Sequence, residues 1–215
     1  KACSASFRIE KNIPAGAGMG GGSSDAAAAL RILDSILGYR SPSELVQTGF
    51  RVGADVPFCI TGGTAICEGA GEIVTPLGVS LVGSVLVLND GIQIDTGDAY
   101  RSLARSYGEE SRAAGSGDLK RERLTQAVVE RRYDLLAGMV ENDFEEIVFR
   151  KHPVLAEIKR ELISMGPEIA IMTGSGSTII GIFSDEAAAR TAKRRFDGNI
   201  RQVILTAFEQ NNLEA

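Results

Sequence analysis

Between Pro14 and Asp25 the chain reads Pro-Ala-Gly-Ala-Gly-Met-Gly-Gly-Gly-Ser-Ser-Asp, with five glycines in the seven positions from Gly16 to Gly22. A stretch with so few side chains leaves backbone N–H groups open to a ligand and admits conformations closed to other residues. Its flanks decide its meaning. Ahead of it Phe7 and Ile9 alternate with Arg8 and Glu10, the period of a half-buried strand. Behind it, from Ser24, Ala28, Leu30, Leu33 and Leu37 recur at helical spacing up to Gly38, a helix stop. A glycine loop between strand and helix puts its amides at a helix N-terminus. There the first N–H groups lack partners and the helix dipole adds about half a positive charge, so phosphate oxygens are natural ligands. The candidate phosphate-binding residues are Pro14, Ala15, Gly16, Ala17, Gly18, Met19, Gly20, Gly21, Gly22, Ser23 and Ser24. Ser23 and Ser24 add hydroxyls that can help hold a magnesium ion shared with the phosphates, with Ser24 the candidate metal ligand.

Other glycine-rich readings fit less well. A flexible linker is seldom threaded between an alternating strand and a well-formed helix. A Walker loop needs Gly-Lys-Ser/Thr at the helix start, where this chain has Gly21-Gly22-Ser23. Gly16, Gly18 and Gly21 satisfy GxGxxG, but a dinucleotide site also needs an acidic residue closing the next strand, and the nearest candidate, Asp34, falls inside the helix.

The rest of the chain alternates helices and strands. Ser41-Pro42-Ser43-Glu44 is a capping box with proline at the first helical position, predicting a short helix through Val46. Thr64 to Pro76 reads as a hairpin turning at Gly69-Ala70-Gly71, Ser84 to Leu88 as a strand, and Asp95 or Thr96 as the cap of a helix carrying Tyr100. Ser106 to Glu122 is polar and charged and reads as an exposed loop. Helical periodicity returns from Leu124 to Val140 and from Pro153 to Met165, ending at Gly166-Pro167. Ile169–Met172 and Ile179–Phe183 are short apolar strands joined by a second glycine turn, Thr173-Gly-Ser-Gly-Ser177. Ser184-Asp185 caps a helix through Arg195, and Val203 to Leu205 reads as a closing strand. The fold class is α+β or α/β, helices packed on a sheet.

Composition narrows the partners. The 215 residues are 44% hydrophobic and 24% charged, the balance of a folded globular chain, and a net charge of -5 argues against non-specific binding to nucleic acid or anionic membrane. Cys3, Cys59 and Cys67 have no paired spacing and lie far in sequence from the single histidine, His152, so neither a zinc site nor a disulfide framework is indicated. His152 itself reads as an exposed residue at a helix entrance. No apolar run reaches the roughly 20 residues that span a bilayer, and the start carries no signal-peptide pattern. The expectation is a cytoplasmic protein acting on a small molecule, a monomer or homodimer, with no nucleic-acid or membrane partner.

Taken together, the motif Pro14-x-Gly-x-Gly-Met-Gly-Gly-Gly-Ser-Ser-Asp-Ala-Ala closely resembles the central motif of the GHMP kinases. Its triple glycine before Ser-Ser-Asp-Ala-Ala looks most like the isoprenoid-pathway branch. Gly53-Ala-Asp-Val-Pro-Phe58, Gly62-Gly63-Thr64-Ala65 with Glu68-Gly-Ala-Gly-Glu72, and Met172-Thr-Gly-Ser-Gly-Ser-Thr178 match the branch's further motifs in order. The resemblance implies an α+β, two-domain architecture. Residues 1–78 would be the remnant of a ribosomal-protein-S5-like ATP-binding domain, and residues 79–215 a ferredoxin-like C-terminal domain. It also implies ATP and Mg2+, and phosphorylation of the 2-hydroxyl of a methylerythritol carrying cytidine diphosphate.

The same resemblance gives roles to single residues. Asp55, between Gly53 and Pro57, matches the family's catalytic aspartate, although an isolated Asp there would read as a cap or turn residue. Thr96 and Tyr100 match a Thr-x-x-x-aromatic segment that contacts the cytidine diphosphate, and Gly174, Ser175 and Gly176 offer amides to a phosphate. Asn89-Asp90-Gly91 and Asp95 depart from the usual Pro-Gly and Ser of that stretch. In these kinases a lysine near the chain start partners the aspartate. Lys1 and Lys11 do not match its motif, so the expectation is a chain belonging to a longer protein whose upstream part holds that lysine. A GHMP kinase for another alcohol and a non-catalytic nucleotide-binding module are the alternatives.

Overall fold

The apolar stripe behind the glycine loop folds as a helix, α1 (Gly21–Leu37), which stops where Gly38 turns left-handed and its N–H returns to the Asp34 carbonyl. This is seen in a computed structural model that describes residues 5–11, 16–38, 41–107 and 117–208. The helix begins earlier than its first serine, because Gly20 takes a left-handed φ of 62° as N-cap and Gly21 and Gly22 enter the first turn. Contacts divide the chain into two compact units, Lys1–Ala15 with Gly20–Gly78, and Gly16–Met19 with Val79–Ala215.

In the first unit Ser41 closes its capping box with Glu44 and starts α2, which runs on to Val52 rather than ending near Val46 (Pro42–Val52). A short helix that no periodicity announced, α3 (Val56–Thr61), follows with Pro57 in its first turn. Ala27, Leu45, Val56 and Ile60 bring the three helices together around a small core. Gly49 lets α2 and α3 meet: a Cβ there would sit 2.6 Å from the Ile60 side chain and 2.9 Å from Val56. The hairpin β1 (Ala65–Glu68) and β2 (Ile73–Pro76) pairs antiparallel, Glu68 opposite Ile73. Phe7 and Ile9, expected in a strand, are instead exposed and pair with no strand among the described residues. Alternation supplies one face of a strand, but a strand exists only when a neighbour takes up its backbone groups, and none of the described residues does so here.

The second unit is built on β3 (Ser84–Asn89), α4 (Thr96–Tyr107), α5 (Gly117–Val129), α6 (Tyr133–Leu136), α7 (Phe144–Lys151), α8 (Pro153–Ser164), β4 (Ile169–Met172), β5 (Ile179–Phe183), α9 (Glu186–Phe196) and β6 (Gln202–Ala207). Its antiparallel sheet has the order β4-β5-β3-β6. A β-α-β-β-α-β succession in that order is the ferredoxin-like arrangement. Leu86, Leu88, Met172, Ile179 and Phe183 project from one face onto Leu155, Ile158 and Leu162 of α8 and Ala189, Ala192 and Phe196 of α9. Each large side chain buried this way stabilises the unit by roughly 1.5–3 kcal/mol. Ile169 and Ile182 turn to the opposite face and meet Ala127 of α5 and Leu136 of α6. The helix expected over 124–140 is broken, since Arg131 adopts a left-handed φ of 54° between α5 and α6. Of the loop expected over 106–122, residues 117–122 belong to α5, and 108–116 lie outside the described residues.

Candidate functional site

The glycine loop is shared between the units. Gly20 to Ser24 form the N-cap and first turn of α1 in the first unit. Ser24 N–H is the first to close a helical bond, donating to the Gly20 carbonyl at 2.8 Å, so the amides of Gly21, Gly22 and Ser23 precede the intrahelical ladder. No acidic side chain occupies that turn. The Ser24 hydroxyl donates to the Gly21 carbonyl at 3.0 Å, which uses its hydrogen and leaves its oxygen with acceptor capacity. Lys11 pairs with Asp25, immediately after the loop. Pro14 and Ala15 lie outside the described residues.

In the same unit α1 packs beside α3, and the Ser23 hydroxyl lies 4.0 Å from where a Cβ on Gly53 would be. Gly53 ends α2, with its N–H on the Gly49 carbonyl at 3.1 Å, and its own carbonyl receives Val56 N–H at 3.1 Å. This tight reversal holds Asp55 at the start of α3, exposed, with its carboxylate making no capping bond. Gly71 of the hairpin approaches so closely that a Cβ there would strike the Ala54 carbonyl. The hairpin thereby braces the backbone just before Asp55. Burial raises the Cys59 and Cys67 thiol pKa values, and the charge of Asp55 raises both further.

In the second unit the turn from Thr173 to Thr178 receives the other part of the loop. Gly18, with a φ of +73°, lies against it so tightly that a Cβ would collide with the Thr173 and Gly176 carbonyls, and Thr178 N–H donates to the Ala17 carbonyl at 3.3 Å. Within the turn Thr173 N–H meets the Thr178 carbonyl at 2.8 Å and Gly176 N–H meets the Thr173 carbonyl at 2.9 Å. Gly174 and Gly176 take positive φ values of 49° and 96°. Among the described residues the N–H groups of Gly174 and Ser175 have no backbone acceptor.

The structure also joins two candidates that lie far apart in sequence. The hydroxyls of Thr96 and Ser175 meet at 3.0 Å. Asp95, not Thr96, caps α4, accepting from Asp98 N–H at 2.7 Å. Tyr100, one turn on, is 59% exposed and rests edge-on against Phe144, ring centroids 4.8 Å apart. It is supported on one side and open on the other. His152 is half-buried at the junction of α7 and α8, rather than exposed.

Sequence reading missed the residues that hold this turn. Asn89, 2% exposed, donates to the Thr178 hydroxyl at 2.9 Å and accepts from Gly91 N–H at 3.0 Å. The Ser177 hydroxyl donates to the Ile92 carbonyl. Asn142 and Glu145 bond the backbone of Met172 and Gly174. The Asn89-Asp90-Gly91 departure was visible as an oddity and is a structural anchor; the others carry no pattern in sequence.

Comparison with known proteins agrees across both units. The family described as "GHMP kinases N terminal domain" matches residues 1–63, and "GHMP kinases C terminal" matches residues 124–201. A 4-diphosphocytidyl-2-C-methyl-D-erythritol kinase from Alkaliphilus metalliredigens is 39% identical over 86% of the chain and 61% of its own length. The same-named protein of Clostridium perfringens is 34% identical over 96% of the chain and 71% of its length. The chain thus spans about two thirds of the length of these relatives, 61% of one and 71% of the other. Among solved structures, a 4-(cytidine 5'-diphospho)-2C-methyl-D-erythritol kinase superposes with a TM-score of 0.71 at 28% identity, covering 94% of this chain and 69% of that one. A homoserine kinase from Cytophaga hutchinsonii shares the fold, with a TM-score of 0.74 at 17% identity over 93% of this chain and 68% of that one.

Proposed function

The chain belongs to the GHMP kinase family, and we propose that the protein transfers the γ-phosphoryl group of ATP to the 2-hydroxyl of 4-diphosphocytidyl-2-C-methyl-D-erythritol. The observation that carries this reading is identity to relatives of that name over both units, 34% across 96% of the chain. In this reading residues 1–78 form the ATP-binding domain and residues 79–215 the C-terminal domain.

The chemistry follows from what each motif can do. The amides of Gly21, Gly22 and Ser23, with the helix dipole behind them, hold the ATP phosphates. Gly16 and Gly18, alternating with Ala17 and Met19, leave the backbone of the rest of the loop open at two positions, with Pro14 and Ala15 leading into it. Asp55 accepts the proton of the acceptor hydroxyl as its oxygen bonds to the γ-phosphorus and the bond to the bridging oxygen breaks, leaving ADP. Its exposure and its freedom from capping keep the carboxylate available for that proton. Tyr100 offers a face for the cytosine ring, Thr96 a hydroxyl, and Gly174, Ser175 and Gly176 a turn for the substrate diphosphate.

Magnesium fits as a nucleotide-borne ion. Among the described residues no group of three histidine, cysteine or acidic side chains gathers, whereas Mg2+ commonly takes one or two protein oxygens and completes its shell with phosphates and water. The exposed Ser24 hydroxyl, its hydrogen held by the Gly21 carbonyl, would provide such an oxygen. When bound, the ion would neutralise charge on the transferring phosphate. Among the described residues no helix is long and apolar enough to cross a membrane.

The test is direct. The purified full-length protein is mixed with ATP, Mg2+ and the cytidine substrate, and the product is followed by phosphorus NMR alongside parallel reactions with homoserine and mevalonate. Phosphorylation of the cytidine substrate alone is expected. Preference for either other alcohol overturns the substrate assignment, and no turnover of any alcohol overturns the kinase reading.

A further inference from the structure

The strand β4 lies at the edge of its sheet, so among the described residues its outward backbone groups have no neighbouring strand. At its end, next to the glycine turn, two side chains supply what a strand would. Met172 N–H donates to Glu145 Oε1 at 2.8 Å, and the Met172 carbonyl accepts from Asn142 Nδ2 at 2.6 Å. The second hydrogen of the same amide reaches the Gly174 carbonyl at 2.8 Å. Both side chains are held from behind. Asn142 Oδ1 accepts from Phe144 N–H at 2.9 Å, and Lys159 Nζ bonds Glu145 Oε2 at 2.5 Å, with side chains only 21% and 18% exposed.

This makes Asn142 specific in a way its position in sequence does not reveal. Its amide uses both hydrogens on two carbonyls and its oxygen on an N–H, so a carboxylate of the same shape would face two carbonyls it cannot bond. Glu145 is fixed by an ion pair of low exposure, where a charge-assisted bond is stronger than on an open surface. Together they pin the start of the turn whose tip carries Ser175 against Thr96.

We infer that Asn142 and Glu145 are positioning residues for the substrate-facing turn Thr173 to Thr178, acting through Met172 and Gly174 rather than by touching a ligand. The role of the turn toward the substrate rests on the kinase reading, but the pinning itself does not. Losing a bond of this class while stranding its partner is worth roughly a factor of ten.

The experiment compares full-length wild type with Asn142→Ala, Asn142→Asp, Glu145→Ala and Glu145→Gln. Hydrogen exchange without ligands is read peptide by peptide, and kcat and KM are measured for each substrate. Exchange across 172–178 is expected to rise about tenfold in Asn142→Ala and Asn142→Asp, while β3 and the far end of β5 keep their protection. KM for the cytidine substrate is expected to rise with little change in kcat. Glu145→Gln, which still accepts from Met172 N–H, should stay closer to wild type than Glu145→Ala. Unchanged exchange across 172–178, or a rise shared by the whole sheet, overturns the inference even if the enzyme is active. If wild type phosphorylates nothing, the kinase reading fails and the exchange result still decides the pinning.

Discussion

The hydroxyls of Thr96 and Ser175 meet at 3.0 Å although the residues stand 79 positions apart in the chain. One opens α4 and the other tips the turn between β4 and β5, so the contact ties a helix start to a glycine turn. Tyr100 follows on the same helix, braced by Phe144 of α7. Lys151 of α7 also pairs with Asp98 of α4 at 2.5 Å. α4 is thus held at its first turn from two directions, leaving the ring of Tyr100 half uncovered.

Replacing Thr96 with valine keeps the shape and removes the hydroxyl. KM for the cytidine substrate is expected to rise roughly three- to tenfold, with KM for ATP much less affected, because a single exchanged hydrogen bond contributes about 0.5–1.5 kcal/mol. Steady-state kinetics with each substrate varied in turn checks this. Equal rises in both KM values would place Thr96 outside substrate recognition.

Asp55→Asn keeps the size of the side chain and removes its capacity to take a proton. Turnover is expected to fall by about 10²–10⁴, the range of general-base contributions. The dissociation constant of ATP, measured calorimetrically, should hardly move, since the amides of the α1 start are untouched. Turnover near wild type would rule out Asp55 as the base.

How much of this was legible in sequence depended on the range of the signal. The Ser41–Glu44 capping box and the Asp185 cap are local devices, and both form where their residues predict. Ile169–Met172 and Ile179–Phe183 are uninterrupted apolar runs bounded by turn residues, and the strands coincide with them. The helix α3 has 6 residues, too few to show a period, and α7 begins two residues after Asn142 with no break in polarity to mark it. Phe7 and Ile9 had the right alternation without a partner to complete a ladder. In the candidate site the glycine motifs were readable because the lack of side chains is itself a pattern. Asn142 and Glu145 were not, because each acts on backbone groups distant in sequence, and the Asn89 bond to the Thr178 hydroxyl joins side chains 89 positions apart; a single polar residue has no periodicity.

The fit of Gly18 to the glycine turn gives a stability prediction with an internal control. Gly18→Ala meets both a left-handed φ, which costs about 1–2 kcal/mol, and a collision with the Thr173 and Gly176 carbonyls. Its total loss should be about 2–4 kcal/mol. Gly16→Ala shares the positive φ, +70°, but a Cβ there meets nothing within 4 Å, so only the first cost of about 1–2 kcal/mol applies. Urea unfolding of both variants measures the difference. Equal losses would mean that Gly18 is not packed against the turn.

The thiols beside Asp55 report its charge without any substrate. Burial raises the pKa of Cys59 and Cys67, and the negative carboxylate of Asp55 raises both again. Alkylation proceeds through the thiolate, so both cysteines should react more slowly in the folded protein than in urea at the same pH, and faster as pH rises. Asp55→Asn removes a charge that opposes thiolate formation, so both pKa values should fall and both rates at fixed pH should increase, while the rates in urea stay the same. Peptide-resolved mass spectrometry after timed exposure to iodoacetamide measures each site separately. Acceleration at Cys59 and Cys67 in the same variant would show that Asp55 is ionised and close to both α3 and the hairpin, the state a proton acceptor needs. Unchanged rates would mean that its charge does not reach the two thiols, and the electrostatic account of this end of the first unit would fail.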